Sequence, residues 1–155
     1  MRRLLLALCV GAYFGLGGPA LLIAQDGSYD ESALRLEGHH GDLRIVRGVQ
    51  GTVVGHIGGF RTPDVVKLVS PSEKAMTEAK SFARDYAPGS WMAGLGIATL
   101  GAAVGVSRIH DVNAGFPVGL TIGGTALIIY GGGRLQNAYN ALSRSIWWYN
   151  RDLQK

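Results

Sequence analysis

Polar and apolar positions divide this chain into long blocks. Between Pro88 and Gly133 only Arg108 and Asp111 carry a formal charge, and apart from Arg2 and Arg3 every other charge lies in residues 26–85 or 134–155. The runs PGSWMAGLGIATLGAAVGVS (88–107) and GFPVGLTIGGTALIIYGGG (115–133) contain no charge at all. At ~1.5 Å per residue each run, as a helix, matches a ~30 Å hydrocarbon layer. With the polar connection SRIHDVNAGFP between them, the pair reads as a transmembrane helical hairpin.

Both flanks show helical periodicity. In VSPSEKAMTEAKSFARDYAPG, the residues Ala75, Met76, Ala79, Phe82, Ala83 and Tyr86 recur at three- and four-residue spacing, with Lys74, Glu78, Lys80, Arg84 and Asp85 opposite them. Ser70, Pro71 and Glu73 read as a capping box around a first-turn proline, and Pro88-Gly89 reads as the stop. The tail RLQNAYNALSRSIWWYNRDLQK places Leu135, Ala138, Leu142, Ile146 or Ser145, Tyr149 and Leu153 on one face. Its aromatic cluster predicts an amphipathic helix beside the membrane, with packing against residues 43–86 as the competing reading.

Upstream, LRIVRGV and TVVGHI are β-branched runs separated by Gln50-Gly51, which predicts a small β-hairpin. Residues 25–42, QDGSYDESALRLEGHHGD, have no clear period and read as a flexible leader. The fold class expected is therefore mainly α: a membrane-embedded helical hairpin with flanking amphipathic helices and a small β-hairpin in the N-terminal polar region. Its expected divisions are 1–24, 25–42, 43–87 as a small extracytoplasmic α+β region, 88–133 as the hairpin, and 134–155.

The opening MRRLLLALCVGAYFGLGGPALLIAQDGS has a basic start, an apolar stretch and Ala24 before polar residues. This is the layout of an export signal cleaved after Ala24, or of an uncleaved anchor. Cleavage would remove Cys9, the single cysteine, and with it any disulfide or thiolate chemistry. The net charge of +4 shrinks too, since without Arg2 and Arg3 the fifteen basic residues become 13 against 11 acidic ones. No basic run or groove-reading motif remains, so nucleic acid is not expected as a partner.

Glycine is the remaining anomaly, with seven in residues 115–133 alone. Each costs ~1 kcal/mol of helix propensity against alanine, so a compensating role in packing is expected. Gly115, Gly119 and Gly123, spaced by four, predict one contact face; Gly101 and Gly105 predict its complement on the preceding span, within one chain or between copies. In architecture alone such paired spans resemble glycine-zipper envelope proteins. Gly131-Gly132-Gly133 cannot share one face and read as a joint where the span ends. At the membrane interface the expected residues are Trp91, Trp147, Trp148 and Tyr149, with Arg144 and Arg151 reaching phosphates.

Candidate chemistry is sparse. His39-His40 in a glycine-flanked segment lacks a spaced second pair of ligands, and Arg108, His110 and Asp111 sit in a turn. No phosphate loop, nucleophile elbow, HExxH or paired CxxC occurs. Neither catalytic residues, a metal nor a cofactor is expected.

The function expected is that of a small exported bacterial-type envelope membrane protein, structural, scaffolding or partner-binding, with membrane lipid and an envelope protein or a second copy as partners. Two alternatives stand beside it: a self-associating glycine-zipper channel or membrane-perturbing subunit, and a soluble secreted binding module with a buried helix pair. The export signal puts the mature N-terminal region outside the cytoplasm. The positive-inside rule points the other way, because Lys74, Lys80, Arg84 and four basic tail residues outweigh Arg108 in the turn.

Overall fold

Two antiparallel helices carry most of the described residues. In the computed structural model, which describes residues 27–39, 42–58, 62–109 and 113–155, the elements in chain order are α1 (Gly27–Ser32), β1 (Leu34–His39), β2 (Asp42–Arg47), β3 (Thr52–Ile57), α2 (Val65–Leu68), α3 (Glu73–Val106) and α4 (Gly115–Asp152). Residues 1–24, expected to be an export signal or an anchor, together with His40 and the His110-Asp111 part of the turn, lie outside the described residues. With 34 and 38 residues, α3 and α4 are about 51 and 57 Å long, far more than either apolar run alone requires.

Several expected boundaries are corrected. α3 does not stop at Pro88-Gly89 but runs through both to Val106. Proline in a helix interior costs one backbone hydrogen bond and ~3 kcal/mol, a loss that packing along the whole of α4 offsets. The cap is Ser72 rather than Ser70: its hydroxyl oxygen accepts from the Ala75 amide at 3.3 Å, while Ser70 and Pro71 lie in the turn after α2. α4 likewise continues unbroken across Gly131, Gly132 and Gly133, so no joint exists there.

The register of the pair follows a seven-residue repeat. Ala75, Phe82, Gly89, Gly96 and Ala103 are buried on α3, and Gly124, Gly131, Ala138 and Ser145 on α4. Ala79 and Tyr86, with Leu142 and Tyr149, fill the alternate seam positions. Such a repeat keeps one seam facing the partner over many turns, as in coiled coils. Small residues dominate this seam, which lets the backbones approach closely.

At one end the helix pair bears a cap. β1, β2 and β3 form an antiparallel sheet in that order, with Leu34 opposite Arg47 and Arg47 opposite Thr52, and an irregularity between Ile45 and Val46. The expected pairing of the β-branched runs is present, but as two strands of three. β1 and α1 replace the expected flexible leader, because Leu34 and Leu36 alternate with Arg35 and Glu37 and turn toward the core. The turn from β2 to β3 needs glycine twice, at Gly48 (φ 71°) and Gly51 (φ 69°), and a side chain at Gly48 would also strike the Glu31 carbonyl.

The core lies between the sheet, α2 and the capped end of the helices. Leu34, Ile45, Ile57, Val65, Val69, Phe82, Tyr86, Leu142, Ile146 and Tyr149 meet there. Asn150 on α4 fixes the sheet to the helix: its amide oxygen accepts from the Leu34 N–H at 2.8 Å and its amide nitrogen donates to the Leu34 carbonyl at 2.7 Å. This amide satisfies the edge of β1 as a neighbouring strand would.

Candidate functional site

Three features stand apart from ordinary core packing: the glycine seam, the ion pairs at its capped end, and the aromatic cluster beyond them. In the seam the helices touch backbone to backbone. A Cβ built on Gly96 would lie 2.7 Å from the Gly124 carbonyl oxygen, and one on Gly124 would lie 3.0 Å from that of Gly96. Gly89 and Gly131 repeat the arrangement seven residues along, with a Cβ on Gly131 only 2.6 Å from the Ala93 nitrogen.

The glycines singled out by four-residue spacing are elsewhere. Gly101, Gly105, Gly119 and Gly123 would meet nothing within 4 Å, and Gly115 meets only the Asn113 side chain of its own turn. As intrachain contacts these five are therefore corrected to Gly89, Gly96, Gly124 and Gly131. A straight helix returns to the same face more closely after seven residues than after four, so over a contact of this length the seven-residue spacing governs. That signal is present in the sequence, where 89 to 96 and 124 to 131 are both steps of seven.

Just beyond the Gly89–Gly131 contact, charge appears. Asp85 accepts from Arg84 at 3.4 Å and from Arg134 across the pair at 3.0 Å. Further along, Arg144 Nη2 lies 2.9 Å from Glu78. The Ser145 hydroxyl donates to the Ala75 carbonyl at 2.8 Å, so this buried polar side chain is satisfied across the helix pair. At the end the Ser72 hydroxyl donates to Asp152, which also receives Lys155 at 2.6 Å.

Both aspartates are held below the usual carboxylate range. For Asp85 the leading cause is the hydrogen bond from Arg84, opposed by burial and reinforced by Arg134; for Asp152 it is Lys155, then Ser72. A depressed carboxyl contributes stability above its unfolded value, ordinarily 3.8, and loses it as pH falls through the folded value. The melting temperature is thus expected to fall on acidification below about pH 4. Asp85→Asn and Asp152→Asn should flatten that dependence in circular-dichroism melts, and an unchanged slope would contradict the assignment.

The aromatic cluster lies well beyond the second apolar run. Because α4 is unbroken, Trp147 lies roughly 21 Å along the axis beyond Gly133. Trp147 and Trp148 meet edge to face at 4.6 Å, with Arg151 over both rings and Lys74 over Trp148. Tyr149 is buried in the core and Arg144 is paired with Glu78. The tail packs on the cap, as the competing reading had it, and Trp91 lies at the edge of an apolar run. Trp91, 58% exposed, is matched in height on α4 by Tyr130, 59% exposed, which the sequence reading passed over.

Among the described residues no group of three or more His, Cys, Asp or Glu side chains is placed to hold a metal ion. Comparison with known proteins finds no matching family model, no similar curated protein and no similar solved structure.

Proposed function

We propose that this chain is a small exported envelope membrane protein whose α3–α4 hairpin crosses the bilayer and holds the cap at its surface as a structural or partner-binding module. One observation carries the reading. In the most apolar 18-residue windows of α3 and α4 only 17% and 11% of positions are buried, so the helices are apolar on the faces they do not use for each other. Ile97, Ile122 and Ile129 are at least 65% exposed there. A buried pair in a soluble module would hide those faces, and nothing else in the described chain does.

Local chemistry supports the same reading. Thr99 and Thr121 return their hydroxyls to the carbonyls of Leu95 and Pro117, at 2.8 and 2.9 Å, so neither would bring an unsatisfied donor into lipid. Trp91 and Tyr130 suit the headgroup level, with the Asp85–Arg134 pair just beyond. Cap and tail pack together and so share one side, and the reading of residues 1–24 as an export signal supports an extracytoplasmic position for it. The test is extraction: the protein is expected to stay in the membrane pellet at alkaline pH and to leave it only with detergent. Recovery without detergent would defeat the proposal, and activity of only a cytoplasm-requiring reporter fused after Lys155 would reverse the orientation.

A second reading, self-association through the outer glycines as a channel or membrane-perturbing subunit, is favoured by the open space at Gly101, Gly105, Gly119 and Gly123, where an added Cβ would meet no other side chain or helix within 4 Å among the described residues. It predicts oligomers in detergent that Gly119→Leu and Gly123→Leu abolish; a monomeric wild type would refute it.

A further inference from the structure

Between α3 and α4, on the cap side of the glycine seam, lies a cavity of about 240 Å³ lined by Ser81, Arg84, Asp85, Asn137, Asn140 and Arg144. Its height matters first. Arg84 and Asn137 lie five and six residues beyond the Gly89–Gly131 contact, which is about 7.5 and 9 Å along the helices. If that contact marks the upper part of the hydrocarbon layer, these side chains stand in or at the edge of the polar layer, which adds roughly 5–7 Å to each side of a bilayer.

Its charge matters next. Each oxygen of Asp85 already receives an arginine, so the carboxylate in the cavity is compensated. Counting Arg84, Arg134 and Arg144 against Asp85 and Glu78 leaves one net positive charge around the opening. Arg84 and Arg144 remain 71% and 56% exposed, and a guanidinium has five N–H donors, more than one carboxylate contact consumes. Two amides, from Asn137 and Asn140, complete a rim rich in donors. Such a rim suits a tetrahedral anion with several acceptor oxygens.

We propose that this cavity seats the phosphate of one phospholipid headgroup, with Arg84 and Arg144 as its charged donors and Asn137 and Asn140 as neutral ones. The proposal rests on the membrane reading above. The bound lipid would lie along the hairpin, its phosphate held at the foot of the cap and its chains against the apolar faces below.

The experiment is native mass spectrometry of the full chain in detergent, with dioleoyl phosphatidylglycerol or dioleoylglycerol, which share acyl chains and differ by the phosphate-bearing headgroup. The wild type is expected to retain the phospholipid at least about tenfold better, the equivalent of one charge-assisted hydrogen bond. Arg84→Gln combined with Arg144→Gln should bring the ratio near one. Asn137→Leu, which breaks no ion pair, should lower it severalfold, and Lys67→Gln, remote from the cavity, should leave it unchanged. Equal retention of the two lipids by the wild type, or variants that keep the preference, overturns the proposal. Displacement of the phospholipid by millimolar inorganic phosphate, with phosphate then binding alone, would overturn the lipid assignment in favour of a free anion. Alkaline extraction of the same preparations separates the failures: protein released without detergent defeats the membrane reading, whereas protein kept in the pellet without headgroup preference defeats the cavity proposal alone.

Discussion

Replacing Gly131 with alanine is expected to destabilise the helix pair by about 1–3 kcal/mol, although alanine is the better helix former. The added methyl would lie 2.6 Å from the Ala93 nitrogen and 2.8 Å from the Gly89 carbonyl oxygen, and backbone atoms cannot swing aside as a side-chain end can. The helices would have to separate, losing contacts along neighbouring turns. Gly96→Ala should behave alike, since its methyl would lie 2.7 Å from the Gly124 carbonyl oxygen. Gly132→Ala and Gly133→Ala point into open space and should raise stability by up to about 1 kcal/mol each. Thermal melts of the four variants in one detergent decide the matter. Equal effects at Gly131 and Gly132 would show that the seam does not run where the seven-residue repeat puts it.

The second large effect is expected in the cap. Phe82 is 1% exposed and packs against Tyr86 with ring centroids 5.2 Å apart, so Phe82→Ala should cost about 3–5 kcal/mol through lost burial and the cavity left behind. Its signature should differ from that of the glycine variants. Hydrogen exchange is expected to accelerate in β1, β2, β3 and the neighbouring turns of α3 and α4, while Gly96 and Gly124 stay protected. Loss of protection along the whole of both helices would instead mean that cap and hairpin unfold as one unit.

These two variants also mark where sequence reasoning held and where it failed. The amphipathic faces were legible: Ala75, Ala79, Phe82 and Tyr86 on one helix, and Ala138, Leu142, Ile146 and Tyr149 on the other, are buried as their spacing implies. Local punctuation misled. Pro88-Gly89 and Gly131-Gly132-Gly133 are stop signals by propensity, yet both helices pass through them because Gly89 and Gly131 in those stretches pack against the partner helix, which propensity does not see. With no joint at the glycines, the unbroken helix carries Trp147 and Trp148 roughly 21 Å along its axis from Gly133.

The candidate site was legible only in part. Arg84, Asp85 and Arg144 were visible as the polar side of two separate helices, but their convergence depends on register. Nothing in one helix says that residue 85 stands beside 134, or 78 beside 144. Long-range pairing is set by which seam positions are small enough to meet. That choice rests on the combined contacts of both chains of residues, which a one-dimensional pattern records separately.

By itself, then, the sequence determined the mostly helical class, the two uncharged runs, the pairing of the β-branched strands and the residues of the amphipathic faces, because hydrophobic periodicity acts locally and repeats every turn or every second residue. Only the tertiary structure decided which glycines face a partner, that two pairs of segments fuse into two continuous helices, and that the tail completes the cap's core. Those outcomes depend on close packing between residues up to 116 positions apart, such as Leu34 and Asn150, where a fraction of an ångström separates a contact from a clash.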